Sequence, residues 1–304
     1  MNQRRLFLAF FLLILGGFTA WSCSGKNYTT FNIPAYERSS EQTATMYFES
    51  VDLKALRSFA FRNVAIIEFT VEYLVDLPDA TYPKLTDELY DLFVEYLEEN
   101  TGLAVIPREK IQNSPIYMHL RKRDIFERWE EPRGIFRKTY QRNHRISVSY
   151  PASHLGILVD PRQDPTFKSI RSTDNEWFEP GVLFDVEADA ALKVHTIIDF
   201  EQIGNKGRLI ITGLEEPPVD SKIEVLIGYS KTLAPAVGIP SKDGKNYIYR
   251  YNDNAVFRLK RPLVSYETIR SNRNVFNLEE FAFRAQEMFS VYADMFSRYL
   301  AKHI

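Results

Sequence analysis

The sequence is poor in cysteine, with Cys23 as the only one in 304 residues. A single thiol cannot close a disulfide within the chain, and it cannot supply the thiolate ligands of a structural zinc site. Disulfide-stabilised scaffolds and cysteine-rich zinc domains are therefore excluded. The folded part must depend on a hydrophobic core, for which 45% hydrophobic residues, with 22 Phe and 17 Tyr, are sufficient.

An excess of charge of either sign is also missing. The 38 Lys and Arg residues stand against 40 Asp and Glu residues, which gives a formal net charge of −2. Domains that bind nucleic acid usually carry a clear basic excess. We therefore expect no nucleic-acid partner.

The longest apolar run is too short to cross a membrane. It covers the 16 residues 6–21 and is interrupted by two adjacent glycines. A helix of this length reaches about 24 Å, whereas the hydrocarbon core of a bilayer is about 30 Å thick. Two arginines precede the run and small residues end it, an order typical of a secretory signal peptide. Residues 1–22 are predicted to be this signal, with cleavage between Ser22 and Cys23.

The four residues Ala20-Trp21-Ser22-Cys23 resemble the lipobox of bacterial lipoproteins, in which the cysteine receives a diacylglyceryl group. Trp21 departs from the small residue usual at its position, and ordinary signal peptidase would cut the same bond. Plain secretion or an uncleaved anchor therefore stays open as an alternative. Lipidation is favoured because an exported protein with one cysteine would otherwise carry a free reactive thiol.

The lipoprotein resemblance implies a location in the bacterial cell envelope, with the acyl chains on Cys23 as the membrane anchor. Ser24, where an aspartate would favour retention in the inner membrane, implies the outer membrane by resemblance to enterobacterial sorting rules. Residues 23–50 are polar and lack a sustained period. They are predicted to be the lipid anchor and a flexible tether.

Residues 51–304 are predicted to form one α/β domain. Val64–Phe69 is a continuous apolar run of the kind found in strands buried on both faces. Apolar residues at helical spacing predict a helix over 84–100 that ends at Gly102, and 103–106 reads as a second strand. The order strand, helix, strand implies a parallel pair.

The second half of the domain has the pattern of antiparallel strands. Alternation predicts a strand over 188–200, and the segment Gly204 to Gly207 predicts a hairpin turn into a strand at 208–212. Further elements are predicted as strands at 222–229 and 255–266 and a C-terminal helix capped by Asn277. The expected fold class is α/β (α+β), a mixed sheet with an N-terminal strand-helix-strand unit, antiparallel strands and a C-terminal helix.

This order of elements resembles the small α/β domain of the N-terminal part of the translocation protein TolB, of the curli secretion lipoprotein CsgG, and of lipoproteins that activate penicillin-binding proteins. The resemblance rests on Val64–Phe69, the helix 84–100 and the segment Leu103–Glu109. It implies an architecture, and an architecture does not by itself fix a function.

The stretch 108–185 is predicted to be an irregular insertion, in which Val148 and Tyr150 alternate with serines as in a strand. Its segment 121–145 holds nine basic against four acidic residues, with aromatic residues between them. Cations interleaved with aromatic rings can hold phosphates or anionic sugars. The candidate anion-binding residues are Arg121, Arg123, Arg128, Trp129, Arg133, Arg137 and Arg142. The alternative is a charged surface with the aromatic residues packed beneath it.

The other ionisable residues show no recognised catalytic or metal-binding spacing. His195 and Asp199 fall on one predicted strand face, but about 13 Å apart, which is too far for them to share a metal ion. We expect a solvated face there, and a solubilising face at Asp185, Glu187 and Asp189. No catalytic residue, metal or cofactor is predicted.

These observations favour a membrane-tethered envelope lipoprotein that is not an enzyme. It would be a binding or assembly factor for an envelope protein or an anionic envelope polymer. Two alternatives remain: an oligomeric secretion or pore component, which would need amphipathic strands of about ten residues, and an envelope hydrolase that uses carboxylates.

Overall fold

The structure is a computed structural model that describes residues 47–51, 56, 62–120, 125–130, 144–158, 182–203, 205–213, 221–227, 239–240, 247–248, 254–265, 269–272 and 275–304. The expected signal peptide, Cys23 and most of the expected tether lie outside these residues. In the described part of the chain, no helix has the length and apolar character needed to cross a membrane.

Strands and helices alternate in the first half of the chain, and strands dominate the second. The strands are β1 Phe48–Val51, β2 Asn63–Tyr73, β3 Ala104–Ile106, β4 Phe126–Glu130, β5 His144–Pro151, β6 Ala190–Ile203, β7 Lys206–Ile211, β8 Lys222–Ile227, β9 Ile239–Pro240, β10 Tyr247–Ile248, β11 Asn254–Leu259, β12 Leu263–Val264, β13 Ile269–Asn272 and β14 Val275–Phe276. The helices are α1 Thr81–Thr101, α2 Arg108–Gln112, α3 Pro115–Leu120 and α4 Leu278–Ala301.

The main sheet is mixed, with the strand order β1-β11-β8-β6-β2-β5-β4. Strand β2 runs parallel to β6 on one edge and to β3 on the other, whereas its pairing with β5 is antiparallel. Strand β7 forms a hairpin with β6 and also pairs with β12 and β13. The predicted α/β class with a mixed sheet is confirmed.

The strand-helix-strand unit is confirmed as β2, α1 and β3. Helix α1 begins at Thr81, three residues before its expected start, so that Pro83 lies in the first turn, where a missing N–H is tolerated. The helix ends at Gly102, whose φ of 70° is a left-handed conformation that favours glycine.

Helix α4 follows its sequence pattern closely. The Asn277 side chain accepts hydrogen bonds from the backbone amides of Glu279 and Glu280, which is the expected N-cap. Every residue of the expected apolar stripe is buried: Phe281, Ala285, Met288, Phe289, Tyr292, Phe296 and Tyr299.

An aromatic core joins α1 and α4 to one face of the sheet. Phe69 of β2 contacts Tyr90 and Phe93 of α1 and Phe289 of α4, with ring centroids 5.3, 5.8 and 5.9 Å away. Tilted and edge-on arrangements of this kind add to the free energy gained from burying the rings. The two helices are therefore held by the same phenylalanine.

Three sequence expectations are wrong in part. The tether was expected to continue to residue 50, but β1 pairs with β11 and Phe48 is buried, because its ring packs on Tyr292 and Phe296. The expected strand 255–266 is two strands, β11 and β12, which pair with different neighbours. The insertion contributes β4 and β5 to the main sheet, and only β5 had a readable alternation.

We expect Phe289→Ala to lower the free energy of unfolding by about 3–5 kcal/mol, because it leaves a cavity between α1, α4 and β2. Phe283→Ala on the same helix is the matched control: its ring is 58% exposed, and the change should stay within about 0.5 kcal/mol. Urea denaturation of both variants measures the difference. Equal losses for the two variants would contradict the described helix orientation.

Candidate functional site

One face of the central strand β2 is apolar and the other is polar, and a β-bulge determines which residues lie on each face. Its register with β6 pairs Ile66 with Leu192 and then Glu68 with Lys193, so that Ile67 is an extra residue. After the bulge, Phe69 and the alternate residues beyond it face the helices. The residues between them face the opposite side of the sheet.

That opposite side carries ionisable and hydroxyl side chains across four adjacent strands. The register places them together as Ser147 and Ser149 of β5, Glu68, Thr70 and Glu72 of β2, Lys193 and His195 of β6, and Lys222 and Glu224 of β8. We refer to this set as the polar face. Its centre is buried: Glu68, Glu72 and His195 are 3%, 2% and 5% exposed.

Basic and acidic side chains are close together on the polar face. The Lys222 ammonium lies 2.6 Å from a Glu224 carboxylate oxygen, and the pair is partly exposed. His195 Nε2 lies 3.7 Å from Glu72 Oε2, with both side chains buried. Lys193 lies between Glu68 and Glu224 in the register of the three strands.

Burial changes the protonation chemistry of these groups. It raises the pKa of Glu68 from 4.5 to about 7, against the opposing effect of the Lys193 charge. Burial also lowers the pKa of Lys193, although Glu224 and Glu68 oppose it. Burial acts to raise the pKa of Glu224 as well, but Lys222 and Lys193 outweigh it and hold that pKa below its ordinary value.

The bulge has its own hydrogen-bond partners. One edge of β2 pairs with β3 through residues 63–65 and with β5 through residues 70–73. The residues between these two pairings have no strand partner on that edge among the described residues. There the Tyr117 hydroxyl donates to the Ile67 carbonyl at 2.9 Å and accepts from the Gly156 amide at 3.0 Å. The Ala152 amide donates to the Phe69 carbonyl at 2.9 Å. The segment 152–158 is thereby fixed beside the polar face, where the Leu158 amide contributes a hydrogen bond to Glu68.

The polar face can exchange protons, because it holds a carboxyl group with a raised pKa and an amine with a lowered pKa. In the described part of the chain, no group of three or more His, Cys, Asp and Glu side chains is placed to hold a metal ion. The chemistry that these residues support directly is therefore proton binding and the pairing of charges.

The expected anion-binding residues remain a prediction. Arg121, Arg123, Arg133, Arg137 and Arg142 lie outside the described residues. Arg128 and Trp129 are placed by their backbone in β4, opposite Ser147 and Arg145 of β5. Strand β4 is the last in the strand order and lies beside β5, which carries Ser147 and Ser149 of the polar face.

The expectation of a solvated face at His195 is wrong. The side chain does project away from the helices, as its alternation indicates, but that side of the sheet is buried at its centre. Asp199, four residues further along β6, is half-buried and accepts a hydrogen bond from the Phe200 amide.

The strand face expected at Asp185, Glu187 and Asp189 is wrong, because these residues precede β6 and share no strand, although Asp185 and Glu187 are exposed as a solubilising surface requires. Asp185 accepts a hydrogen bond from the Ser114 hydroxyl. Asp189 accepts from the amides of Arg62 and Asn63 at the start of β2. Both carboxylates thus connect chain segments to one another.

Sequence reasoning missed Glu68 because Val64–Phe69 reads as apolar on both faces, and it missed Glu72 because the predicted strand ended at Phe69. The signal that could have found them is the alternation of polar residues at 68, 70 and 72. Polar residues at 193 and 195 on another strand repeat that spacing. Two alternating polar rows in otherwise apolar strands indicate a common polar face.

No protein-family model, no curated protein and no solved structure matches this chain.

We expect Glu68→Gln to remove a pH dependence of stability. A carboxyl group whose pKa is raised on folding binds its proton more tightly in the folded state. Its contribution to stability is therefore complete below about pH 4.5 and is lost as the pH rises through about 7. The wild-type free energy of unfolding should fall by on the order of 2–3 kcal/mol across this range.

Urea denaturation at half-unit pH steps from 4.5 to 8 measures this effect. The amide introduced by Glu68→Gln cannot titrate, so the slope over this range should be smaller than in the wild type. Glu99→Gln, at an exposed position of α1, is the control and should leave the wild-type slope unchanged. A Glu68→Gln profile parallel to that of the wild type would contradict the assignment.

Proposed function

We propose that this chain is a lipid-anchored protein of the bacterial cell envelope that acts as a non-enzymatic binding or assembly factor. Its partner is an envelope protein or an anionic envelope polymer. The observation that carries the proposal is the position of the single cysteine, directly after a basic and then apolar segment with small residues at its end. The anchor would hold the mixed α/β domain at the membrane surface.

The attachment of the domain is compatible with an anchor at Cys23. The 23 residues 24–46 separate that cysteine from Tyr47, and a chain of this length can reach up to about 80 Å when extended. The chain then enters the sheet through β1, which is at one end of the strand order, and Phe48 packs into the aromatic core. An anchor on this chain would raise the concentration of the domain near partners at the same membrane.

An envelope hydrolase is the second candidate, and the polar face is the observation that favours it. The pKa of Glu68 is raised and that of Glu224 is lowered, a difference typical of acid and base pairs in active sites. However, Glu68 is only 3% exposed, so that a substrate would have little approach to it. This burial favours the binding protein over the hydrolase.

The pore alternative has lost part of its basis. It needs amphipathic strands of about ten residues, and one of the two long strands expected, 255–266, consists of two short strands with different partners. The other, β6, is 14 residues long, but Lys193 and His195 lie on one of its faces. In a barrel that face would line the lumen and the apolar face would meet lipid, but Leu192, Val194 and Ile198 of the apolar face are buried in the hydrophobic core instead.

We expect the mature protein to begin at Cys23 and to carry a diacylglyceryl group. The intact mass of membrane-extracted protein should show the loss of residues 1–22 and a lipid-sized increment, and labelled palmitate should be incorporated. Cys23→Ala should abolish both changes, whereas Ser22→Ala keeps a small residue before the cut and should retain them. An unmodified N-terminus at Cys23, or an uncut chain, would each refute the lipid anchor.

We also expect the basic segment to hold an anionic envelope polymer. Co-sedimentation of the full chain with purified lipopolysaccharide should weaken as salt concentration rises, because exposed charges are screened. Replacing Arg133, Arg137 and Arg142 with glutamate should weaken binding by about tenfold or more, which corresponds to about 1.4 kcal/mol.

The matched control for this experiment reverses three exposed lysines elsewhere, Lys84, Lys260 and Lys302, which changes the net charge equally. It should retain most of the binding. Equal losses in both triple variants would show a general charge effect and refute a specific site. No binding by the wild type would leave an envelope protein as the partner.

A further inference from the structure

The segment 152–158, which we call the strap, is held beside the polar face through side chains. Three of its amides donate to side-chain oxygens: Ser153 to Asp87, Gly156 to Tyr117 and Leu158 to Glu68. A strand within a ladder would instead donate its amides to the carbonyl groups of a neighbouring strand. The pairings of β2 with β3, β5 and β6 do not include the strap. Its release would therefore leave these pairings intact.

The Tyr117 hydroxyl joins the strap to the bulge. It donates to the Ile67 carbonyl at 2.9 Å and accepts from the Gly156 amide at 3.0 Å, and the tyrosine is fully buried. Removing the hydroxyl would take the partner from a buried carbonyl and from a buried amide at the same time, which is unfavourable. One side chain thus stabilises the closed position of the strap through two hydrogen bonds.

The strap separates Glu68 from water. The Leu158 amide donates to the Glu68 carboxylate, which is only 3% exposed. Leu155 and Leu158 are buried, whereas Ser153 and His154 at the turn of the strap are exposed. An outward movement of the strap would uncover the Glu68 carboxylate and would also expose the two leucines. Because that exposure is unfavourable, the open form is a minor state.

We propose that the strap is a gate, which opens locally and admits water and small polar molecules to Glu68 while the rest of the sheet stays folded. The Tyr117 hydroxyl holds this gate closed. Small polar molecules are the class that fits, because the side chains next to Glu68 on the polar face are Thr70 and Lys193. The inference rests on the fold and does not require the proposed envelope function.

Amide hydrogen exchange of the full chain tests the local opening. Exchange at Ala152, Leu155 and Leu158 of the strap should depend little on low concentrations of urea. Exchange at Val194 of β6 should follow global unfolding and rise steeply with urea. Tyr117→Phe should raise the rates of all three strap amides about tenfold, the size expected for the net loss of a buried hydrogen bond.

Tyr73→Phe is the matched control. Its hydroxyl is also buried at the sheet, but it bonds to the Thr86 hydroxyl at 2.9 Å and has no contact with the strap amides. This variant should speed exchange in β6 and leave the strap rates unchanged. Strap amides that follow urea in parallel with β6 would show that no separate opening exists. A Tyr117→Phe effect confined to Gly156 would show that the hydroxyl holds one amide and not the strap. Either result overturns the proposal.

Chemical labelling tests whether the opening reaches the polar face. A water-soluble carbodiimide with glycinamide converts accessible carboxyl groups to amides, which peptide mass spectrometry locates. In the wild type, Glu68 should react far more slowly than Glu99, which is exposed on α1. Its rate should be about tenfold higher in Tyr117→Phe and unchanged in Tyr73→Phe. Equal Glu68 rates in the two variants would refute the gate.

Discussion

The contact between Phe69 and the two long helices is the interaction on which the rest of the described fold depends. One ring packs against Tyr90 and Phe93 of α1 and against Phe289 of α4. It thereby brings the N-terminal strand-helix-strand unit and the C-terminal helix together, although they are far apart in sequence. A polar clamp at the other end of the interface supports the arrangement, where Asn100 donates to Asp294 and Ser297 at 2.8 Å.

Covering one side of the sheet with aromatic rings leaves the other side free to be polar. Apolar burial on the helix side is large, whereas the polar face includes the ion pair of Lys222 with Glu224. A buried ion pair adds little stability when compared with apolar side chains of the same size, because its charges lose their hydration. The polar face therefore contributes little to stability compared with the aromatic side of the sheet.

The sequence predicted the elements whose patterns are local and regular. The apolar stripe of α4, its cap at Asn277 and the stop at Gly102 are each set by neighbours a few residues away. The burial of His195 could not be predicted in this way, because it depends on which strands lie beside β6 and on what covers them. Strand β1 at residues 48–51 could not be predicted for a similar reason. Four residues are too few to show a clear alternation, and the strand they pair with, β11, lies some 200 residues later.

The bulge at Ile67 also determines where β2 can lose or gain a residue without exchanging its two faces. Upstream of it the even-numbered residues of β2 face the helices, and downstream the odd-numbered residues do. Loss of one residue at the bulge would leave both faces of β2 as they are. It would remove the hydrogen bond that the Tyr117 hydroxyl donates to the Ile67 carbonyl. Loss of one residue between 69 and 73 would turn over the residues beyond it in β2 and direct the Tyr73 ring toward the polar face. Related chains that differ in length within this strand should therefore differ at the bulge.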